Sequence, residues 1–105
     1  MTSSTWYFYV VRTKEGQLYA GIATNVARRY REHLEGGPRA AKYLRAHKPC
    51  RLEFKRRIGS RSLALKVEYR FKRLPRHRKE AILQTGRLRF DPLSGKILTR
   101  DSLAT

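Results

Sequence analysis

Two short apolar runs open the chain, Tyr7-Phe8-Tyr9-Val10-Val11 and Tyr19-Ala20-Gly21-Ile22, separated by the polar stretch Thr13-Lys14-Glu15-Gly16-Gln17. Runs this short and this rich in aromatic and β-branched residues predict a strand pair, and Gly16 supplies the positive φ that a tight reversal requires. The period then changes. Val26, Tyr30 and Leu34 recur at i, i+4 and i+8, which predicts a helix from an Asn25 N-cap to about Leu34 with these three on the sheet; Gly36, Gly37 and Pro38 end it. A short helix fits Ala40 to Ala46, before Pro49. Alternation from Arg51 to Ile58 predicts a third strand with Leu52, Phe54, Arg56 and Ile58 on one face. After Gly59-Ser60 the helical period returns, with Leu63, Val67, Phe71 and Leu74 as its apolar stripe. Pro75 breaks that stripe and opens a fourth helix, Arg76 to Gln84, with Gly86 as its stop. The outline is ββααβαα, an α/β (α+β) fold with a small three-stranded, mostly antiparallel sheet flanked by helices. A single domain over residues 1–90 is expected, followed by a tail, 91–105, in which Pro92, Ser94 and Gly95 favour weak packing or flexibility.

At 105 residues the chain can build one core. The 25 Lys and Arg against 8 Asp and Glu give a net charge of +17, a self-repelling surface suited to a polyanion. Nucleic acid is the first candidate partner, because phosphate contacts supply most non-specific affinity. No segment combines a basic face with a broad apolar one, which argues against a membrane surface. No apolar run approaches a membrane span, and Met1-Thr2-Ser3-Ser4-Thr5 lacks the pattern of a signal peptide, so a cytoplasmic, cytosolic or nucleoid-associated protein is expected. The lone Cys50 fits a reducing compartment, and the three scattered histidines lack zinc-ligand spacing. Gly36-Gly37-Pro38 is not followed by the Lys-Ser/Thr of a phosphate-binding loop. Nothing indicates a particular protein partner.

The chemistry-bearing residues fall in order. Tyr19-Ala20-Gly21 follows Tyr9 by ten residues, Arg29 follows Gly21 by eight, and His33 follows Arg29 by four, a spacing that stacks Arg29 and His33 on one helical face. This set resembles the GIY-YIG nuclease superfamily, and more closely its small standalone bacterial members, similar to the nuclease domain of structure-selective junction endonucleases. The two family triplets stand here as Tyr7-Phe8-Tyr9 and Tyr19-Ala20-Gly21. The helix from Ser60 to Tyr69 resembles the one that carries the family's metal-binding glutamate, which places that role on Glu68. The resemblance spans roughly residues 6 to 84. Ala20 stands in place of the usual Ile, the first triplet lacks Gly, and no Asn follows Glu68, a position that several family members fill.

The resemblance implies a metal-dependent endonuclease that hydrolyses DNA phosphodiester bonds and selects structure or strandedness, with DNA repair or recombination as its setting. Glu68 would hold one divalent cation, Mg²⁺ or Mn²⁺, alongside water and a substrate oxygen. Arg29 would clamp the phosphate through its planar fork. Tyr9 would be the general base, with Tyr19 orienting water or phosphate and His33 donating to the phosphate or relaying a proton. Since phenols titrate near pH 10, a base role predicts a depressed tyrosine pKa. Gly21 would give the phosphate backbone clearance. Arg28, Arg31, Lys55, Arg56, Arg57, Lys72, Arg73 and Arg76 are expected to contact phosphates. Each residue also has a plainer reading: strand tyrosines packing a half-buried face, a solvated Arg-rich helix, and an exposed Glu68-Lys72 i,i+4 ion pair. Trp6, Tyr43 and Tyr69 read as core or rim. A non-catalytic protein binding DNA, RNA or ribosomes on the same scaffold is the alternative.

Overall fold

In the computed structural model, which describes residues 4–98, the chain folds as β1 (Trp6–Thr13), β2 (Leu18–Ala23), α1 (Val26–Glu35), α2 (Lys42–Ala46), β3 (Pro49–Gly59), α3 (Arg61–Lys72) and α4 (Arg76–Thr85). The three strands form one sheet in the order β2-β1-β3, and both pairings are antiparallel. β1 is the central strand and is covered on both faces, which explains its unbroken apolar run: Phe8, Tyr9, Val10 and Val11 are each at most 1% exposed. The β1–β2 turn closes as expected. Gly16 sits at φ 88° and donates its amide to the Thr13 carbonyl, while the Thr13 hydroxyl accepts from the Gln17 amide at 3.0 Å.

Side-chain alternation divides the core in two. On one face Tyr9, Val11, Ala23, Val26 and Leu44 pack together with Tyr7, Tyr19, Tyr30 and Leu52, so α1 and α2 lie there. On the other, Phe8, Val10, Ala20 and Phe54 meet Val67 and Phe71 of α3, and Leu88 and Ile97 complete the cluster. The starts of α1 and α3 are capped by side chains, Asn25 Oδ1 accepting from the Arg28 amide and Ser60 Oγ from the Leu63 amide, while α4 starts at Pro75 without one. Gly36 and Gly86 end α1 and α4 in the left-handed conformation, where a side chain would be strained.

Four expectations from the pattern are corrected. Leu34 is 49% exposed, and the position turned inward is its neighbour His33, which both ring nitrogens anchor by hydrogen bonds. Leu52 and Phe54 do not share a face. The β1–β3 register slips between Val10 and Val11, pairing Val10 with Phe54 but Val11 with Leu52, so Leu52 joins the α1 side and Phe54 the α3 side. In α3 the fully buried position is Ala64 rather than Leu63, because α3 lies close against the sheet. Packing also continues past residue 90. Phe90 bridges Ile97, Asp91 Oδ1 accepts from the Leu93 and Ser94 amides, and Ile97 enters the core. The rest of the expected tail, 99–105, lies outside the described residues.

Polar contacts dock α4, which has no fully buried residue. Arg12 donates to Glu80 Oε1 at 2.7 Å and to Glu53 Oε1 at 2.9 Å. Arg76 donates to Glu80 at 2.8 Å and to the Gly16 carbonyl at 2.7 Å, so the β1–β2 turn, β3 and α4 share one ionic network. Partly buried Ile82 and Leu83 add an apolar edge. Among the described residues, no helix is long and apolar enough to cross a membrane.

Candidate active site

The sheet brings Tyr9 and Tyr19 to one face. Tyr9 pairs with Gly21 and Val11 with Tyr19, so the two phenols are diagonal neighbours. Gly21 is needed for the first of them: a Cβ there would stand 2.6 Å from Tyr9 Oη and 2.7 Å from Cζ. Its clearance thus serves the Tyr9 ring, a role distinct from the phosphate approach expected of it. On the other side of Tyr9, Lys55 occupies the paired position of β3, and Arg57 pairs with Tyr7, which puts both basic side chains on the Tyr9 face.

α1 supplies Arg29 and His33. His33 is fully buried and its Nε2 lies 2.8 Å from Tyr9 Oη, while its Nδ1 accepts from the Ala41 amide at 3.2 Å. Its ring also meets Tyr19 edge-on at 5.6 Å. Arg29 Nη1 donates to Glu32 Oε1 at 2.9 Å and also to the Arg39 carbonyl, which fixes the guanidinium, and its charge reaches both phenols. Tyr43 of α2 stacks on Tyr19 at 6.1 Å and donates to Gln17 Oε1. A cleft of about 250 Å³ beside Tyr19 is lined by Leu18, Ala20, Tyr43, Phe71, Lys72 and Lys79.

Burial dominates the electrostatics. It raises the Tyr9 phenol above its ordinary value, with Tyr19 and Glu68 adding to the rise and Arg29 opposing it. Tyr19 is raised as well, burial outweighing Lys72 and Arg29. The depressed tyrosine pKa expected of a general base is therefore absent from the unliganded protein; a low-polarity pocket outweighs one guanidinium. His33 is held down to about 4 by burial and by Arg29, so it is neutral at pH 7. Burial works against the Arg29 charge, yet Glu32 and Tyr9 raise its pKa overall.

Glu68 projects from α3 and pairs with Lys72 at 3.2 Å, with its side chain 18% exposed. Its charge adds a minor rise at both Tyr9 and Tyr19. Among the described residues, no group of three or more His, Cys, Asp or Glu side chains forms a ready-made metal cage. A lone, partly exposed carboxylate is a hard oxygen donor that suits a cation retaining most of its water, as Mg²⁺ and Mn²⁺ do, provided Lys72 releases it.

All eight basic residues expected to contact phosphate are exposed. Four have intramolecular partners: Arg56 lies over Phe90, Arg73 over Tyr69, Lys72 pairs with Glu68, and Arg76 with Glu80. Arg28, Arg31, Lys55 and Arg57 make no salt bridge among the described residues. Trp6 is partly buried beneath Arg61, and Tyr69 is 58% exposed. The pattern gave no notice of Arg12 or the Ala41 amide, and read Tyr43 only as core or rim. The pairing of Tyr43 with Tyr19 arises from chain folding, and a backbone amide leaves no trace in residue type.

Two tyrosines lie on adjacent strands, an Arg-His pair on the following helix and a glutamate on α3, on a domain of nuclease type. The chain belongs to the GIY-YIG catalytic domain family, whose model matches residues 5–81. Within it the chain is similar to UPF0213 proteins. It is 47% identical to the UPF0213 protein of Citrobacter koseri over 81 residues, 77% of this chain and 79% of that protein. It is 45% identical to UPF0213 protein YhbQ of Salmonella typhimurium over 94 residues, 90% of this chain and 91% of that one. The solution NMR structure of a UPF0213 protein from Bacillus halodurans matches with a TM-score of 0.50 and 34% identity, covering 77% of this chain and 84% of that one.

Proposed function

We propose that this protein is an endonuclease that hydrolyses DNA phosphodiester bonds with one divalent cation, and that it selects its substrate by structure or strandedness. The observation that carries this reading is the convergence of Tyr9, Tyr19, Arg29 and His33 at one site, with Tyr9 held 2.8 Å from His33 and the charge of Glu68 felt by both phenols. Phosphodiester hydrolysis needs a proton taken from water, charge stabilised on the phosphoryl oxygens and a leaving oxygen accommodated.

Each residue has a defined share. Arg29, fixed by Glu32 and the Arg39 carbonyl, presents a permanent positive charge to the phosphate. Tyr9 accepts the proton of the attacking water; its raised pKa makes the phenolate scarce, so this role calls for added positive charge beside it, which a cation held by Glu68 would supply. Tyr19 lies beside it and orients the water or phosphate. Glu68 would hold Mg²⁺ or Mn²⁺, and when bound the cation supplies charge neutralisation at the phosphoryl oxygens and a more acidic water. Lys72, paired with Glu68 at 3.2 Å, would have to release that carboxylate to a cation, which leaves its ammonium free for a substrate phosphate. The +17 surface supplies affinity without base readout, so DNA repair or recombination is a fitting setting.

A second reading, a nucleic-acid-binding protein without cleavage, draws on the Glu68–Lys72 pair and the raised phenols. The test is cleavage of single-stranded, duplex, flap and four-way-junction DNA with Mg²⁺ or Mn²⁺ at matched binding. The nuclease reading expects wild type to cut at least one of these and Glu68→Ala and Arg29→Ala to leave it intact. Binding by all three proteins with cleavage by none would favour the second reading.

A further inference from the structure

The hydrogen bonds around His33 fix where its proton sits. A backbone N–H can only donate, so the Ala41 amide 3.2 Å from Nδ1 requires a lone pair there. A neutral imidazole with a bare Nδ1 carries its hydrogen on Nε2, and Nε2 lies 2.8 Å from Tyr9 Oη. The opposite tautomer would set an Nδ1–H against the Ala41 N–H, two donors facing each other in a buried site. An imidazolium would do the same. The neighbours agree: among the groups around the ring, Arg29 opposes a second positive charge and Glu32 favours one, while burial disfavours it outright.

We infer that the Ala41 backbone amide is a tautomer lock, which makes His33 a hydrogen-bond donor to Tyr9 and bars it from accepting the Tyr9 proton. Tyr9 Oη is then an acceptor toward His33 in both its phenol and phenolate forms, and the His33 bond strengthens when the oxygen becomes negative. The phenolic proton leaves on the side away from His33. His33 is thus a positioning residue that stabilises the phenolate, and the relay role is closed to it. α2 acquires a purpose beyond packing, because Ala41 at its N-cap delivers the amide. The catalytic consequence rests on the nuclease reading; the tautomer does not.

The experiment is long-range ¹H–¹⁵N correlation NMR on ¹⁵N-histidine-labelled protein between pH 5.5 and 8. With only three histidines, His47→Gln and His77→Gln assign the signals. The expected result is one neutral His33 species, protonated at Nε2 and bare at Nδ1, across the whole range. An Nδ1–H form, a mixture of tautomers, or an imidazolium at neutral pH would overturn the inference without reference to activity. Ala41→Pro then replaces the amide hydrogen by the ring Cδ, which cannot donate, at a residue whose φ −58° and ψ 141° proline adopts. His33 should become a tautomer mixture, with kcat on cleaved DNA down about tenfold and KM unchanged, the scale of losing an orienting partner. An unchanged His33 spectrum in folded Ala41→Pro would also overturn the lock. Should that variant not fold, the wild-type spectrum decides. If wild type cuts no DNA, the nuclease reading fails while the same sample still reports the tautomer.

Discussion

Gly21 shows how one missing carbon can hold a site open. The Tyr9 ring occupies the space where a Cβ would stand, 2.6 Å from its hydroxyl, and Tyr9 is itself held by His33, so neither partner can move aside cheaply. Gly21→Ala should therefore cost about 1 to 3 kcal/mol in urea unfolding, the usual range for overpacking, and should shift the Tyr9 signal. His33 sets a second expectation. Its pKa falls to about 4 on folding from an ordinary value of 6.5, so the unfolded chain binds the proton more readily. Its stabilising contribution is complete above about pH 6.5 and is lost as the pH falls from 6.5 toward 4. The urea midpoint should drop across that window, and His33→Gln should flatten the drop.

At the scale of elements, α4 is the part most dependent on charge. Glu80 is drawn down to about 2 by Arg12, then Arg76, and Glu53 is lowered by Arg12 and Arg51 against the cost of burial. These carboxylates stabilise the fold above their ordinary 4.5 and lose that contribution only as the pH falls below it, a window lower than that of His33. Glu80→Ala should cost about 1 kcal/mol, since the pair is partly exposed, and should speed amide exchange in α4 while leaving α1 protected. Elements of this kind were largely legible in the chain. Asn25, Ser60, Gly36 and Gly86 mark helix ends by local chemistry, and the structure places them there. What escaped the pattern depends on tertiary context. The slip that parts Leu52 from Phe54 arises in pairing with β1, and the inward turn of His33 arises from partners on β1 and before α2. Pro92, Ser94 and Gly95 suggested weak packing or flexibility, whereas Asp91 to Gly95 closes a turn in the structure. The apolar Phe90 and Ile97 on either side were the sign that it folds back onto the core.

For the whole molecule, site and surface make separate demands. The site residues, and the Glu68–Lys72 pair, stood out in the sequence as types and spacings, while the pocket that raises the phenols and the Ala41 amide beside His33 exist only in the folded chain. Lys55 and Arg57 share the Tyr9 face, so under the proposed function they would track a phosphate backbone leading into the site. Replacing either with Gln should lower the slope of log K against log salt by about 0.9 for duplex or about 0.7 for single-stranded DNA, without changing substrate ranking. The central claim is that Glu68 and a divalent cation act together on a bound phosphodiester. Single-turnover cleavage of the best-cut DNA, followed across a Mn²⁺ titration at saturating protein, tests it most directly. Wild type should show a rate that rises to saturation with Mn²⁺, and Glu68→Ala should bind the same DNA but show no such rise. Equal Mn²⁺-dependent rates in the two proteins would contradict the account.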